Sequence, residues 1–124
     1  MQIALETLSS EVNQIRSYQQ GNIQVNDKTY DQSIIVAPKM PVKLWPPQVY
    51  AELNVEHLSY FAEFKPQIVL FGMGRKMLFP GPEIRLAIQK MRLGVEFMDT
   101  AAACRTYNIL LAENRNVVAA LLIA

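Results

Sequence analysis

Asp99 stands where the apolar run Gly94-Val95-Glu96-Phe97-Met98 gives way to Thr100-Ala101-Ala102-Ala103. A carboxylate at a strand-to-helix junction has two uses. It can accept hydrogen bonds from the free amides of the first helical turn. It can also face a pocket beyond the strand end, where α/β sheets bind their ligands. Cys104 follows a turn and a half later, and Arg105 and Asn108 lie one step around the same helix. A second apolar run, Ile68-Val69-Leu70-Phe71, leads into Gly72-Met73-Gly74-Arg75-Lys76 and on to Pro80. Two parallel strands joined by a right-handed crossover end on one edge of a sheet. The candidate pocket therefore comprises Gly72, Met73, Gly74, Arg75, Lys76, Pro80, Glu96, Asp99, Thr100, Cys104, Arg105 and Asn108.

Each of these residues also has a plainer role. Asp99 reads first as a helix N-cap. Gly72 and Gly74 permit a tight turn, and they lack the third glycine and the Gly-Lys-Ser/Thr run of a nucleotide loop. Cys104 groups with Thr100, Ala103, Tyr107 and Leu111 on a helical wheel, as a small buried hydrophobe does. A Cys104–His57 dyad is conceivable, but no spacing fixes it. Arg105 reads as a solvated charge. Glu96, inside an apolar strand, belongs on an exposed edge or beside a cation such as Arg75 or Arg105. No residue is assigned a catalytic role.

Composition narrows the function classes. The chain has 124 residues, 51% apolar and 19% charged, which suits one globular domain spanning residues 1–124. A net charge of +1 is too small for a general nucleic-acid binder. One Cys and one His are too few for a zinc cage, so no metal site is expected. The single cysteine fits a reducing compartment. The segment from Met1 to Ser10 carries Glu6 and no basic residue, unlike a secretory or transit peptide. The apolar stretch Val117–Ala124 is too short to insert into a membrane. A cytoplasmic protein is the expectation.

The elements that must position these residues follow from pattern. Ile23–Val25 and Thr29–Val36 flank a turn at Asn26-Asp27-Lys28, with Asn13–Tyr18 alternating beside them and Gln2–Leu5 a possible further strand. Pro38, Pro41, Pro46 and Pro47 mark an irregular or edge segment around Trp45, a cover for one core face. Asn54 caps a predicted helix over Val55–Phe64, and Pro82 opens another over 82–92. Strands over 68–71 and 95–98, a helix from Asp99 to about Asn114, and a strand over Val117–Ile123 complete the chain. The fold class is α/β, with a central mixed β-sheet covered by helices in three layers and an N-terminal β-hairpin region.

The predicted helix 82–92 presents a second feature. Ile84, Ala87, Ile88 and Met91 share one face, and Leu86 falls opposite beside Arg85, Gln89 and Arg92. A leucine among basic residues suits a protein partner, though single exposed leucines are common.

The strings Gly72-Met73-Gly74 with Phe79-Pro80, and Gly94 through Leu110, resemble the small domain family of mitochondrial complex I assembly factor 3 and the adipogenesis-associated domain-containing protein. Tyr30 and Ser33–Val36 before Pro38 are similar to the family too. The resemblance covers nearly the whole chain and is that of a short bacterial member. It implies the three-layer fold, no established catalytic residue, no cofactor, and an assembly role in the mitochondrial relative. Relatives often carry threonine between the two loop glycines, where this chain has Met73.

Two functions follow as expectations. The first is a non-enzymatic interaction or assembly factor with a protein partner, using Arg85, Leu86, Gln89 and Arg92. The second is a small ligand-binding protein or enzyme using the pocket at the strand ends.

Overall fold

A computed structural model describes residues 12–76 and 78–124. The expected strand over Gln2–Leu5 lies outside the described residues. Two sheets are present. Strands β1 (Ile15–Gln19), β2 (Asn22–Val25) and β3 (Lys28–Tyr30) form an antiparallel meander. Strands β4 (Ile34–Val36), β5 (Lys43–Leu44), β6 (Ile68–Gly72), β7 (Gly94–Met98) and β8 (Val117–Leu121) form a mixed sheet in the order β5-β4-β8-β6-β7. β6 runs parallel to both β7 and β8, while β4 is antiparallel to β8. Two α-helices, α1 (Pro82–Met91) and α2 (Thr100–Ala112), follow β6 and β7 as crossovers.

Alternation along the central strands makes two cores. Val69, Phe71, Val118, Ala120 and Leu122 face α1 and the segment around Trp45. Leu70, Val117, Ala119, Leu121 and Ile123 face α2 and the N-terminal sheet. Both sides of β6 and β8 are thus covered, which is why these strands read as unbroken apolar runs. The first core is aromatic. Phe71 stacks on Phe97 at 5.1 Å between ring centroids and meets Phe61 edge-on at 5.3 Å. Trp45, 1% exposed, lies 6.0 Å from Phe61, and its indole N–H donates to the His57 carbonyl oxygen at 3.0 Å. It covers that core, as its proline-rich setting predicts.

Three sequence expectations need correction. The run Thr29–Val36 is two strands in two sheets, because the chain bends at Asp31-Gln32 and Ser33 is anchored in the second sheet. The Ser33 amide donates to Gln48 Oε1, its hydroxyl accepts from the Ile123 amide, and its carbonyl accepts from the Trp45 amide. The segment Val55–Phe64 is a 3₁₀ helix rather than an α-helix. Val, His, Ser, Tyr and Phe dominate it, and such residues lose rotamer freedom or compete for backbone bonds in an α-helix. Arg92 does not continue α1. It takes a left-handed conformation, φ 55°, and terminates the helix with its amide bonded to the Gln89 carbonyl.

The carboxyl edge of β6 is held by close backbone approach. A Cβ on Gly72 would lie 2.9 Å from Thr100 Cα. A Cβ on Gly74, whose φ is +94°, would lie 2.5 Å from the Ala124 carbonyl oxygen. Both barriers are backbone or its immediate neighbour, so neither can rotate away. Gly74→Ala is therefore expected to lose more than about 2 kcal/mol of stability, from steric conflict and unfavourable φ together. Urea unfolding of the purified variant checks this.

Candidate functional site

Gly72, Met73, Gly74, Pro80 and Thr100 are buried. Thr100 is the first residue of α2. Its hydroxyl donates to the Leu122 carbonyl oxygen at 2.7 Å and accepts from the Gly74 amide at 2.9 Å. The Thr100 amide donates to the Gly74 carbonyl oxygen at 2.8 Å. The Met73 amide donates to the Met98 carbonyl at 2.8 Å, and the Leu122 amide to the Gly72 carbonyl at 2.9 Å. The space beyond the ends of β6 and β8 is thus occupied by protein. Met73, 1% exposed, turns its side chain into the aromatic core and offers nothing to a ligand.

Asp99 has an extended backbone, and its Oδ1 accepts from the Ala102 amide at 2.8 Å. That is the N-cap bond expected of it. Cys104 is buried against Leu70 and the other apolar residues on this face of the sheet. Burial pushes its thiol up to about 12; Arg105 opposes that rise and Asp99 adds to it. Such a thiol carries almost no thiolate at neutral pH. His57 lies on the other face of the sheet, edge-on to Trp45 with ring centroids 6.4 Å apart, and its Nδ1 accepts from the Asn54 amide. The two halves of the conceivable dyad are therefore kept apart by the sheet. Glu96 is exposed on β7, an edge strand, so it needs no cation. Arg75 and Lys76 are exposed.

The remaining residues gather elsewhere. Cys104, Arg105 and Asn108, with Ala101, form one wall of a cleft of about 220 Å³. Residues 15–18 of β1 form the other wall. Asn108 joins the walls: its Oδ1 accepts from the Ile15 amide at 3.0 Å, and its Nδ2 donates to the Ile15 carbonyl at 2.7 Å. Tyr107 adds a third tie, its hydroxyl donating to the Asn13 carbonyl at 2.8 Å. The contribution of β1 was missed by sequence reasoning. No local signal in Arg16-Ser17-Tyr18 pairs it with a helix ninety residues later.

The proposed partner residues also separate cleanly from the core. Ile84 and Ile88 are buried, whereas Arg85, Leu86, Gln89 and Arg92 are all exposed. Leu86 is 53% exposed, and Phe79, just before α1, is 58% exposed. Phe79 has a firm backing. Its ring meets Phe97 edge-on at 6.2 Å, and its carbonyl accepts from the Tyr50 hydroxyl at 2.7 Å.

Two outcomes are expected. Asp99→Ala should cost about 1 kcal/mol in urea unfolding, as lost N-caps do, and Asp99→Asn less, because the amide oxygen still caps. Maleimide should label Cys104 in the folded protein on the order of a hundredfold or more slowly than in the unfolded chain. The thiol also sets a direction for alkaline stability. Between its ordinary value of 9.0 and about 12, the unfolded chain has lost this proton and the folded chain keeps it. Stability therefore falls as pH rises through that window. Burial raises Tyr107 too, in the same sense at higher pH.

Comparison with known proteins places this geometry in a family. Residues 15–122 match the family described as "Protein of unknown function (DUF498/DUF598)". The chain is 32% identical over 120 residues to NADH dehydrogenase [ubiquinone] 1 alpha subcomplex assembly factor 3 of Xenopus tropicalis, covering 95% of this chain and 65% of the relative. It is 43% identical over 65 residues to the "13 kDa major membrane protein" of Francisella tularensis subsp. holarctica, covering 52% of this chain and 53% of that one. The chain thus spans between about half and two thirds of these relatives' lengths. Among solved structures, a Bordetella parapertussis protein superposes with a TM-score of 0.83 at 43% identity, covering 90% of this chain and 95% of that chain. A Mth938-like domain from Bordetella pertussis gives 0.79 at 35% identity, covering 91% and 87%. Among the described residues no helix is long and apolar enough to cross a membrane. On its match, its fold and its relatives, the chain belongs to the DUF498/DUF598 family.

Proposed function

We propose that this protein is a non-enzymatic, cytoplasmic assembly factor that works by binding another protein through the outer face of α1. The observation that carries the reading is Leu86, 53% exposed on a helix whose other face is anchored by Ile84 and Ile88. Arg85 and Gln89 on α1, and Arg92 at its end, are exposed. An apolar side chain among arginines, on a rigid element, is how protein interfaces concentrate their energy. Phe79 extends the same character to the loop before the helix. The relatives named as NADH dehydrogenase assembly factors support a partner that is a subunit of a respiratory membrane complex. The strand ends are filled by protein and Cys104 is buried, which supports the binding reading over catalysis at that edge.

The test is the double variant Leu86→Glu with Arg92→Glu, compared with wild type in affinity capture from the native cell. Both positions are exposed, so the melting temperature should stay nearly unchanged. Capture of respiratory-complex subunits by wild type, and its loss in the variant, is the expected result. Removal of an anchor should weaken the contact by more than about 2 kcal/mol. Equal recovery from both forms would remove α1 from the interface. Retention of a small metabolite, with no protein partner for either form, would favour ligand binding instead.

A further inference from the structure

The cleft between β1 and α2 has an electrostatic character that neither the N-cap nor the partner face uses. β1 does not alternate regularly. Ile15 pairs with Val25 and Ser17 with Gln24, so Arg16 is an extra residue in the ladder. A bulge of this kind re-aims the side chains beyond it and is common beside binding sites. Here both Ile15 and Tyr18, three apart, pack toward the α2 core, where simple alternation would give Ile15 and Ser17. All four residues 15–18 reach the cleft as a result.

The groups that face this space are mostly donors. Arg16 comes from the bulge and Arg105 from α2, and both are exposed. Neither guanidinium has an ion-pair or hydrogen-bond partner among the described residues, and neither has the Tyr18 hydroxyl. The Ser17 hydroxyl makes one long bond, 3.4 Å, to Gln24 Oε1. Tyr18 titrates above its ordinary range because it is partly buried; Cys104 adds to the rise, Arg75 opposes it, and Asp99 adds to it. Arg75 is therefore a third cation within electrostatic reach. Asp99, the carboxylate among the described residues whose charge is felt at Tyr18, already has an oxygen bonded to the Ala102 amide. Unpaired guanidinium groups on facing walls match an oxyanion, which accepts several charge-assisted bonds at once. The volume, about 220 Å³, is below that of sites for drug-sized molecules.

We propose that the cleft between β1 and α2 binds a small oxyanion, phosphate or a short carboxylate, through Arg16, Arg105 and the Tyr18 hydroxyl. The site lies away from Leu86, so it stands independently of the partner-binding reading. The same two walls are joined by the Asn108–Ile15 bonds, so an anion bridging Arg16 to Arg105 would tighten the N-terminal sheet against α2.

The experiment is a titration of the full chain followed by backbone amide and tyrosine ring NMR signals. Inorganic phosphate and succinate are the two probes, with sodium chloride at matched ionic strength as control. Saturable shifts centred on Arg16, Tyr18 and Arg105 are expected with at least one probe, and the probe that saturates at lower concentration identifies the head group. Arg16→Ala and Arg105→Ala should each weaken binding about tenfold or more. Lys90→Ala, on α1, should leave it unchanged. The variant spectra away from the cleft report whether the fold is intact. Shifts that never saturate, that chloride reproduces, or that survive Arg105→Ala unchanged would overturn the site.

Discussion

One threonine hydroxyl holds the architecture together. Thr100 Oγ1 donates to the Leu122 carbonyl and accepts from the Gly74 amide, and the residue is fully buried. It thereby joins the continuation of β8, the turn after β6 and the first residue of α2. Inside a core, each of those backbone groups would be costly to leave without a partner. The requirement propagates outward. Gly72 must lack a side chain to let Thr100 approach, and Gly74 must take positive φ to present its amide. Asp99 must cap α2 so that the helix begins at Thr100. The buried polar groups at the strand ends, the Thr100 hydroxyl with the Gly74 amide and the Leu122 carbonyl, therefore satisfy one another, while Arg75 and Lys76 stay exposed.

α2 is consequently a tie between the two sheets. Its start is bonded to the central sheet through Thr100, and its middle to β1 through Asn108 and to Asn13 just before that strand through Tyr107. The opposite face of the central sheet is built differently. There a relay of rings runs from Trp45 through Phe61, Phe71 and Phe97 to Phe79 at the surface. Packing rather than hydrogen bonding holds α1, which leaves its outer side free of structural duty. A protein built this way has an internally bonded helix and an outward-looking one. That division is the physical basis for looking for partners at α1.

The central strands were legible because burial on both faces leaves an unbroken apolar run, as at Ile68–Phe71 and Val117–Leu121. The caps were legible because Asp99 and Pro82 act locally. Long-range events were not. Nothing near Ser33 in sequence shows that its hydroxyl meets the Ile123 amide, ninety residues away. In the 3₁₀ segment the buried residues Leu58, Phe61 and Phe64 recur every third position, and a Leu58–Phe61 pair three apart suits either helix type, so that pair alone did not separate them. The residues that the sequence groups at one strand-end pocket lie in two places. Thr100 and Gly74 point inward, while Cys104, Arg105 and Asn108 face β1, whose bulge no local pattern announces.

The strand ends form a structural latch around the Thr100 hydroxyl. Its most direct test is the unfolding free energy of Thr100→Val beside Thr100→Ser. Valine keeps the volume but removes the hydroxyl, leaving the Gly74 amide and the Leu122 carbonyl without that partner. The account predicts a loss of about 2 kcal/mol or more for valine, with serine retaining most of the stability. A valine variant as stable as the original would contradict it, and would mean that the hydroxyl is kept at the strand end for some purpose other than the fold.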